Sequence, residues 1–130
     1  MMDLPPLNYI AAGLTRAQVV CVLEGTYCPE LYETIEDKIK DVFPNKEEAL
    51  AVARCESGLK QFDKRGEVIQ NKESTAIGVF QIMASLHKKY ANSLDLDIQT
   101  ADGNIKFAKI LYDKYGWKPW AASKKCSKMS

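Results

Sequence analysis

The chain has 130 residues, a net charge of +1 and 27% charged residues, which suits one domain able to bury roughly two-thirds of its unfolded surface. No apolar run is long enough to span a bilayer, so no integral membrane segment is expected. No basic stripe dominates, which argues against nucleic acid as a partner. Lys124, Lys125 and Lys128 make the tail basic, a pattern that suits either a solvated end or approach to an anionic polymer.

Taken in order, Met1–Gly13 reads as a loose lead-in with Pro5-Pro6 blocking regular structure. It lacks the basic and apolar regions of a signal peptide. Thr15-Arg16-Ala17-Gln18 is a capping-box pattern opening a helix to about Glu24, with Gly25 as its stop. Pro29 starts a second helix whose Leu31, Ile35, Ile39 and Val42 recur every three or four residues until Pro44.

A third helix follows from an Asn45 cap, with Glu47 and Glu48 in its first turn and Gly58 as its stop. Its apolar stripe runs Ala49, Val52, Ala53, and the next position on that face is Glu56. Burial and the negative end of the helix dipole both favour the protonated carboxyl, the condition for a proton donor near neutral pH. The alternative is a Glu56 at a frayed edge, pointing to water.

The four cysteines, Cys21, Cys28, Cys55 and Cys126, include no C-x-x-C pair, and His87 is distant from all of them, so no zinc site is expected. Two disulfides suit a secreted domain. Of the three connectivities, Cys21–Cys28 with Cys55–Cys126 is preferred, since the first closes a short loop and the second ties the tail to the Glu56 helix. Four buried thiols in a reduced chain are the alternative.

After Gly58 the character changes. Gln61–Gln81 carries Gly66 and Gly78, short alternating pieces and polar turns at Asp63–Gly66 and Asn71–Ser74, and predicts a small irregular β-lobe. Gln81 is the polar exception in the apolar run Ala76–Met83, either bonded inside it or on an exposed edge. Ser85 is expected to cap a short helix carrying His87, which reads as a packed or surface residue. Thr100 opens the longest amphipathic helix, with Ile105, Ala108, Leu111, Tyr112 and Tyr115 on one face and Gly116 as its stop. Trp117, Pro119 and Trp120 follow as an aromatic turn, suited to closing a core or to stacking on sugars.

Glu56-Ser57-Gly58, then Ala76-Ile77-Gly78-Val79-Phe80-Gln81-Ile82-Met83, then Asn104-Ile105 through Tyr112 to Tyr115-Gly116 resemble, in order, the motifs of the soluble lytic transglycosylase domain of the lysozyme-like superfamily. The resemblance runs from about Asn45 to Ser123. It implies a mainly α-helical (α+β) lysozyme-like fold, with a small irregular β-lobe beside a catalytic cleft. Residues 45–130 would form that domain, and residues 1–44 a helical extension packed on it in one compact unit. The implied substrate is the MurNAc–GlcNAc strand of peptidoglycan, outside the cell or in its envelope, cut by a monomer without metal or cofactor.

By the same resemblance Glu56 serves first as acid and then as base, giving a 1,6-anhydro sugar with no second carboxylate. In lysozymes an apolar pocket raises the acid glutamate, and the same direction is expected here. Ser57 matches the family's serine beside the acid, a bond partner for Glu56 or for sugar. Gln81, Tyr112 and Trp120 match or replace substrate-contacting positions. Two departures stand out: Ala84 replaces a usual proline, and Pro119-Trp120-Ala121-Ala122-Ser123 replaces an Ala-Tyr-Asn segment, leaving Trp120, Ser123 or no residue at all to supply the tyrosine contact. A hydrolytic muramidase in the same fold needs a second carboxylate, with Asp63 the first candidate and Glu67 and Glu73 after it, although Asp63 also suits its turn. A glycan-binding module without activity is the third reading.

Overall fold

The structure, a computed structural model, describes residues 33–121. The chain divides between Glu33 and Thr34, and the fold set out here is that of the unit beginning at Thr34. The helix expected at Thr15, the Cys21–Cys28 loop, Ser123 and Cys126 lie outside the described residues.

The elements in order are α1 (Ile35–Val42), α2 (Lys46–Ser57), β1 (Ala76–Ile77), β2 (Ile82–Met83), α3 (Ala84–Ser93), α4 (Ala101–Tyr115) and α5 (Lys118–Ala121). The described chain is mainly helical, with one small antiparallel sheet. No described helix is long and apolar enough to cross a membrane.

Helix α1 starts at Ile35, where Thr34 closes a capping box, while the helix start expected at Pro29 lies outside the described residues. The Thr34 hydroxyl accepts from Asp37 N at 3.1 Å, and the Asp37 carboxylate accepts from Thr34 N at 3.3 Å. The helix ends where Phe43 turns extended, as a residue before proline must. Helix α2 begins after Asn45 as expected, but the Asn45 side chain does not cap it: Nδ2 donates to Glu48 Oε2 at 3.1 Å instead. Ala49, Leu50, Val52 and Ala53 are buried, and Gly58 closes the helix at φ +71°, its N–H donating to Arg54 O.

Between α2 and α3 lies the irregular lobe. Single bridges join Phe62 to Val68 and Gln70 to Ile77, and β1 pairs with β2 in the register Ala76–Met83, Ile77–Ile82. Ser85 is not the cap of α3. The helix starts at Ala84, whose N–H donates to Thr75 O at 3.0 Å, while Ser85 exchanges bonds with the Thr75 hydroxyl inside the first turn. A proline at Ala84 would forfeit that backbone bond.

Thr100 caps α4 through Gly103 N at 3.0 Å. Gly103 lies so close to the Asp97 backbone that a Cβ has no room there. Ile105, Ala108 and Leu111 are buried and Tyr112 is half-buried, but Tyr115 is 55% exposed. The expected stripe is therefore covered only as far as Tyr112: Tyr115 shares the angle of Ala108 and Leu111 but is the last residue of α4, beside the Gly116 stop. The residues after Gly116 form the short helix α5 rather than an open turn, and its Trp120 is buried.

Helix α1 packs across α2 and α4, and the core gathers Ile39, Phe43, Val52, Phe80, Ile98, Phe107 and Trp120. Phe43 anchors an aromatic cluster, 5.4 Å from Phe80 and 5.8 Å from Trp117 between ring centres. Each such buried side chain contributes about 1.5–3 kcal/mol. The capping box is the local feature that decides where α1 begins. Thr34→Ala is expected to cost about 1 kcal/mol in urea unfolding, with an unchanged m-value.

Candidate active site

Behind the cleft lies the turn Ile77–Gln81, and most of its backbone polar groups have a partner. Gly78 N donates to Ile69 O at 2.8 Å, and Gln81 N to Gly78 O at 3.1 Å. Others are held by side chains from far along the chain. Gln61 Oε1 accepts from Val79 N at 2.9 Å, Asn104 Oδ1 accepts from Phe80 N at 2.9 Å, and Asn104 Nδ2 donates to Ile77 O at 2.9 Å. Trp120 Nε1 donates to Phe80 O at 2.8 Å, and the Ser57 hydroxyl donates to Val79 O at 2.7 Å.

Gln61 and Asn104 are the two fully buried polar residues among the described residues, and both also donate to Ile98 O. Gly78, at φ +77°, fits between them because it has no Cβ; one would run into Asn104 Nδ2 and Gln61 Oε1. Gln61 and Asn104 entered the sequence reading only as parts of motifs. The available signal was an amide on the apolar face of α4, four residues before Ala108.

Glu56 lies in the last turn of α2, half-buried, with Oε1 shut away from solvent. That matches the core-facing expectation rather than the frayed edge. Its neighbour Cys55 is in a disulfide, which excludes the free-thiol alternative at that position; the other three cysteines lie outside the described residues. Ser57 Oγ also accepts from Lys60 N at 3.2 Å, so its hydroxyl is engaged in tying α2 to the turn rather than offered to Glu56.

Ser57 faces an open cleft of about 470 Å³ that it lines with Lys60, Phe62, Asp63, Lys64 and Ile69. The cleft thus brings together Ser57 and Asp63 of the expected set. Asp63 Oδ1 accepts from Arg65 N at 2.8 Å and Glu67 N at 3.0 Å, so this carboxylate holds its own turn. Gln81 sits one bond behind the cleft wall: its Nε2 donates to Gly78 O at 3.0 Å and to Ile69 O at 3.5 Å. Its φ of +50° is unusual for a residue with a side chain.

Tyr112 and Trp120 do not reach the cleft lining. Trp120 is a core residue bonded to the turn, not a rim platform, because its indole N–H is spent on Phe80 O. Tyr112 packs against Trp117 with tilted rings, 4.4 Å between centres. His87 packs 5.4 Å from Phe107, and burial holds its imidazole below the ordinary range. Trp117 Nε1 donates to Glu48 Oε2 at 2.9 Å, and this bond, followed by that from Asn45, holds the Glu48 carboxyl below the usual range. No group of three or more potential metal ligands clusters among the described residues.

Asn104→Ala removes one hydrogen bond from each of three buried backbone groups, of which Ile98 O keeps that from Gln61. The expected loss is about 3 kcal/mol or more in denaturant unfolding. For Glu48 the sign is that of a depressed carboxylate: its contribution is complete above the unfolded pKa and fades as pH falls through the folded one. Trp117→Phe is expected to move the Glu48 titration upward, read by carboxyl carbon NMR. No family model, curated protein or solved structure matched the chain.

Proposed function

We propose that this chain is a peptidoglycan lytic transglycosylase with a lysozyme-like fold and Glu56 as its only essential carboxyl group. The observation that carries the reading is Glu56 itself: a carboxyl oxygen withheld from water at the C-terminal end of α2, one residue from the cleft-lining Ser57. Desolvation and the helix dipole both work against the charged form there. A protonated Glu56 gives its proton to the oxygen of the MurNAc–GlcNAc bond as that bond breaks. The resulting carboxylate then takes the proton of the MurNAc C6 hydroxyl, whose oxygen closes on C1. The product is 1,6-anhydroMurNAc, and Glu56 ends protonated as it began.

The rigid turn Ile77–Gln81 supports the same reading, since Ser57 fixes the end of α2 to it and so fixes the backbone that carries Glu56. The disulfide at Cys55 suits an oxidising location, outside the cell or in its envelope. A hydrolytic muramidase is the second reading, favoured by the presence of Asp63 in the cleft. The engagement of its Oδ1 in the turn weighs against it. A glycan-binding module without turnover is the third.

Mass spectrometry of muropeptides released from purified walls separates them. Anhydro ends are expected from the parent chain, and reducing ends would mean a hydrolase. Glu56→Gln is expected to lower release by at least about a hundredfold while wall binding persists. Walls cleared by the variant at the parent rate would remove Glu56 from the mechanism.

A further inference from the structure

The cleft holds two cations that nothing in the fold uses. Lys60 and Lys64 both line it, both are exposed, and neither has an ion-pair partner among the described residues. Both are held at fixed points of the backbone. Lys60 N donates to Ser57 Oγ, and Lys64 sits inside the turn that Asp63 closes through Arg65 N and Glu67 N. Between them in sequence stands Phe62, 48% exposed although large and aromatic, its backbone bridged to Val68. An exposed aromatic ring in one cleft lining with two lysines is a good surface for a pyranose strand that carries carboxylates.

The geometry points to a binding subsite for carboxylate-bearing glycan, with Phe62 stacking against a sugar ring and Lys60 and Lys64 pairing with carboxylates on that strand. This rests on the glycan-cleaving reading given above and adds to it a preference: the cleft selects charged strands over neutral ones with the same rings. Asp63, in the same lining, works against an anion at its own position. The carboxylates therefore sit toward the two ammonium groups, away from the Asp63 carboxylate. Stem-peptide carboxylates and the lactyl carboxylate of a strand stripped of its peptides share this chemistry.

The test is equilibrium binding by the full chain, in a Glu56→Gln background that blocks turnover. Three soluble strands are compared: one with stem peptides, one stripped to lactyl carboxylates, and one with its carboxylates amidated. The amidated strand is expected to bind about tenfold more weakly than the better of the charged two, which identifies the source of the carboxylate. That preference is expected to shrink in high salt and to vanish in Lys60→Gln/Lys64→Gln, with Lys60→Arg/Lys64→Arg restoring it. Phe62→Ala is expected to weaken all three strands alike. Unchanged melting temperatures identify the variants as folded.

Equal binding of charged and amidated strands by the parent, or a preference that survives the double glutamine variant, overturns the subsite. In that event wall cleavage by the active chain is unaffected, and the glycan-cleaving reading stands. A parent that neither binds any strand nor releases muropeptides overturns both.

Discussion

Two primary amides 43 residues apart in the chain, Gln61 and Asn104, hold the turn that everything else leans on. Strands of two residues each cannot sustain a hairpin in isolation, and β1 and β2 are that short. The Ile77–Gln81 turn nonetheless lies in the core, with Val79 and Phe80 fully buried. Burying a turn strands its N–H and C=O groups unless donors and acceptors are brought to them. Gln61, Asn104, Ser57 and Trp120 are those donors and acceptors. Gly78 makes the approach of the two amides sterically feasible.

Because Ser57 is one of the four, the same network sets the end of α2. The residue before Ser57 carries a carboxyl group with one oxygen away from water, and the residue before that is tied by a disulfide. Three consecutive residues thus link a structural bond, a candidate acid and a cross-link. A side chain on so constrained a backbone keeps its orientation without spending binding energy on ordering itself when a substrate arrives. The cleft on the other side of Ser57 presents cations and an exposed ring rather than a closed apolar cavity, as suits a polymer that must lie across it.

Helix starts and stops were the most legible features of the sequence, since they depend on neighbours three or four residues away. Gly58 and Gly116 stop α2 and α4, Thr100 caps α4, and the chain after Gly58 forms an irregular lobe. Where local signals competed, the nearer one won: Ala84 N–H found Thr75 O before Ser85 was able to cap. Tyr115 keeps the angle of the buried face but stands at the last residue of α4, where it is exposed.

The apolar stripe of α2, the place of Glu56 on it, and the polar intrusion of Gln81 follow from spacing alone, because helical period is a property of the chain. The roles of the remaining site residues do not. Ser57 and Trp120 read in sequence as groups offered to a sugar, yet each gives its proton to a carbonyl of the Ile77–Gln81 turn. Gln61 and Asn104 meet across 43 residues, and Lys60, Phe62 and Lys64 become one surface only when the Asp63 turn folds them beside Ser57. Which partner a polar side chain takes is settled by what burial brings within 3 Å of it. That is a tertiary fact, and no pattern along the chain encodes it.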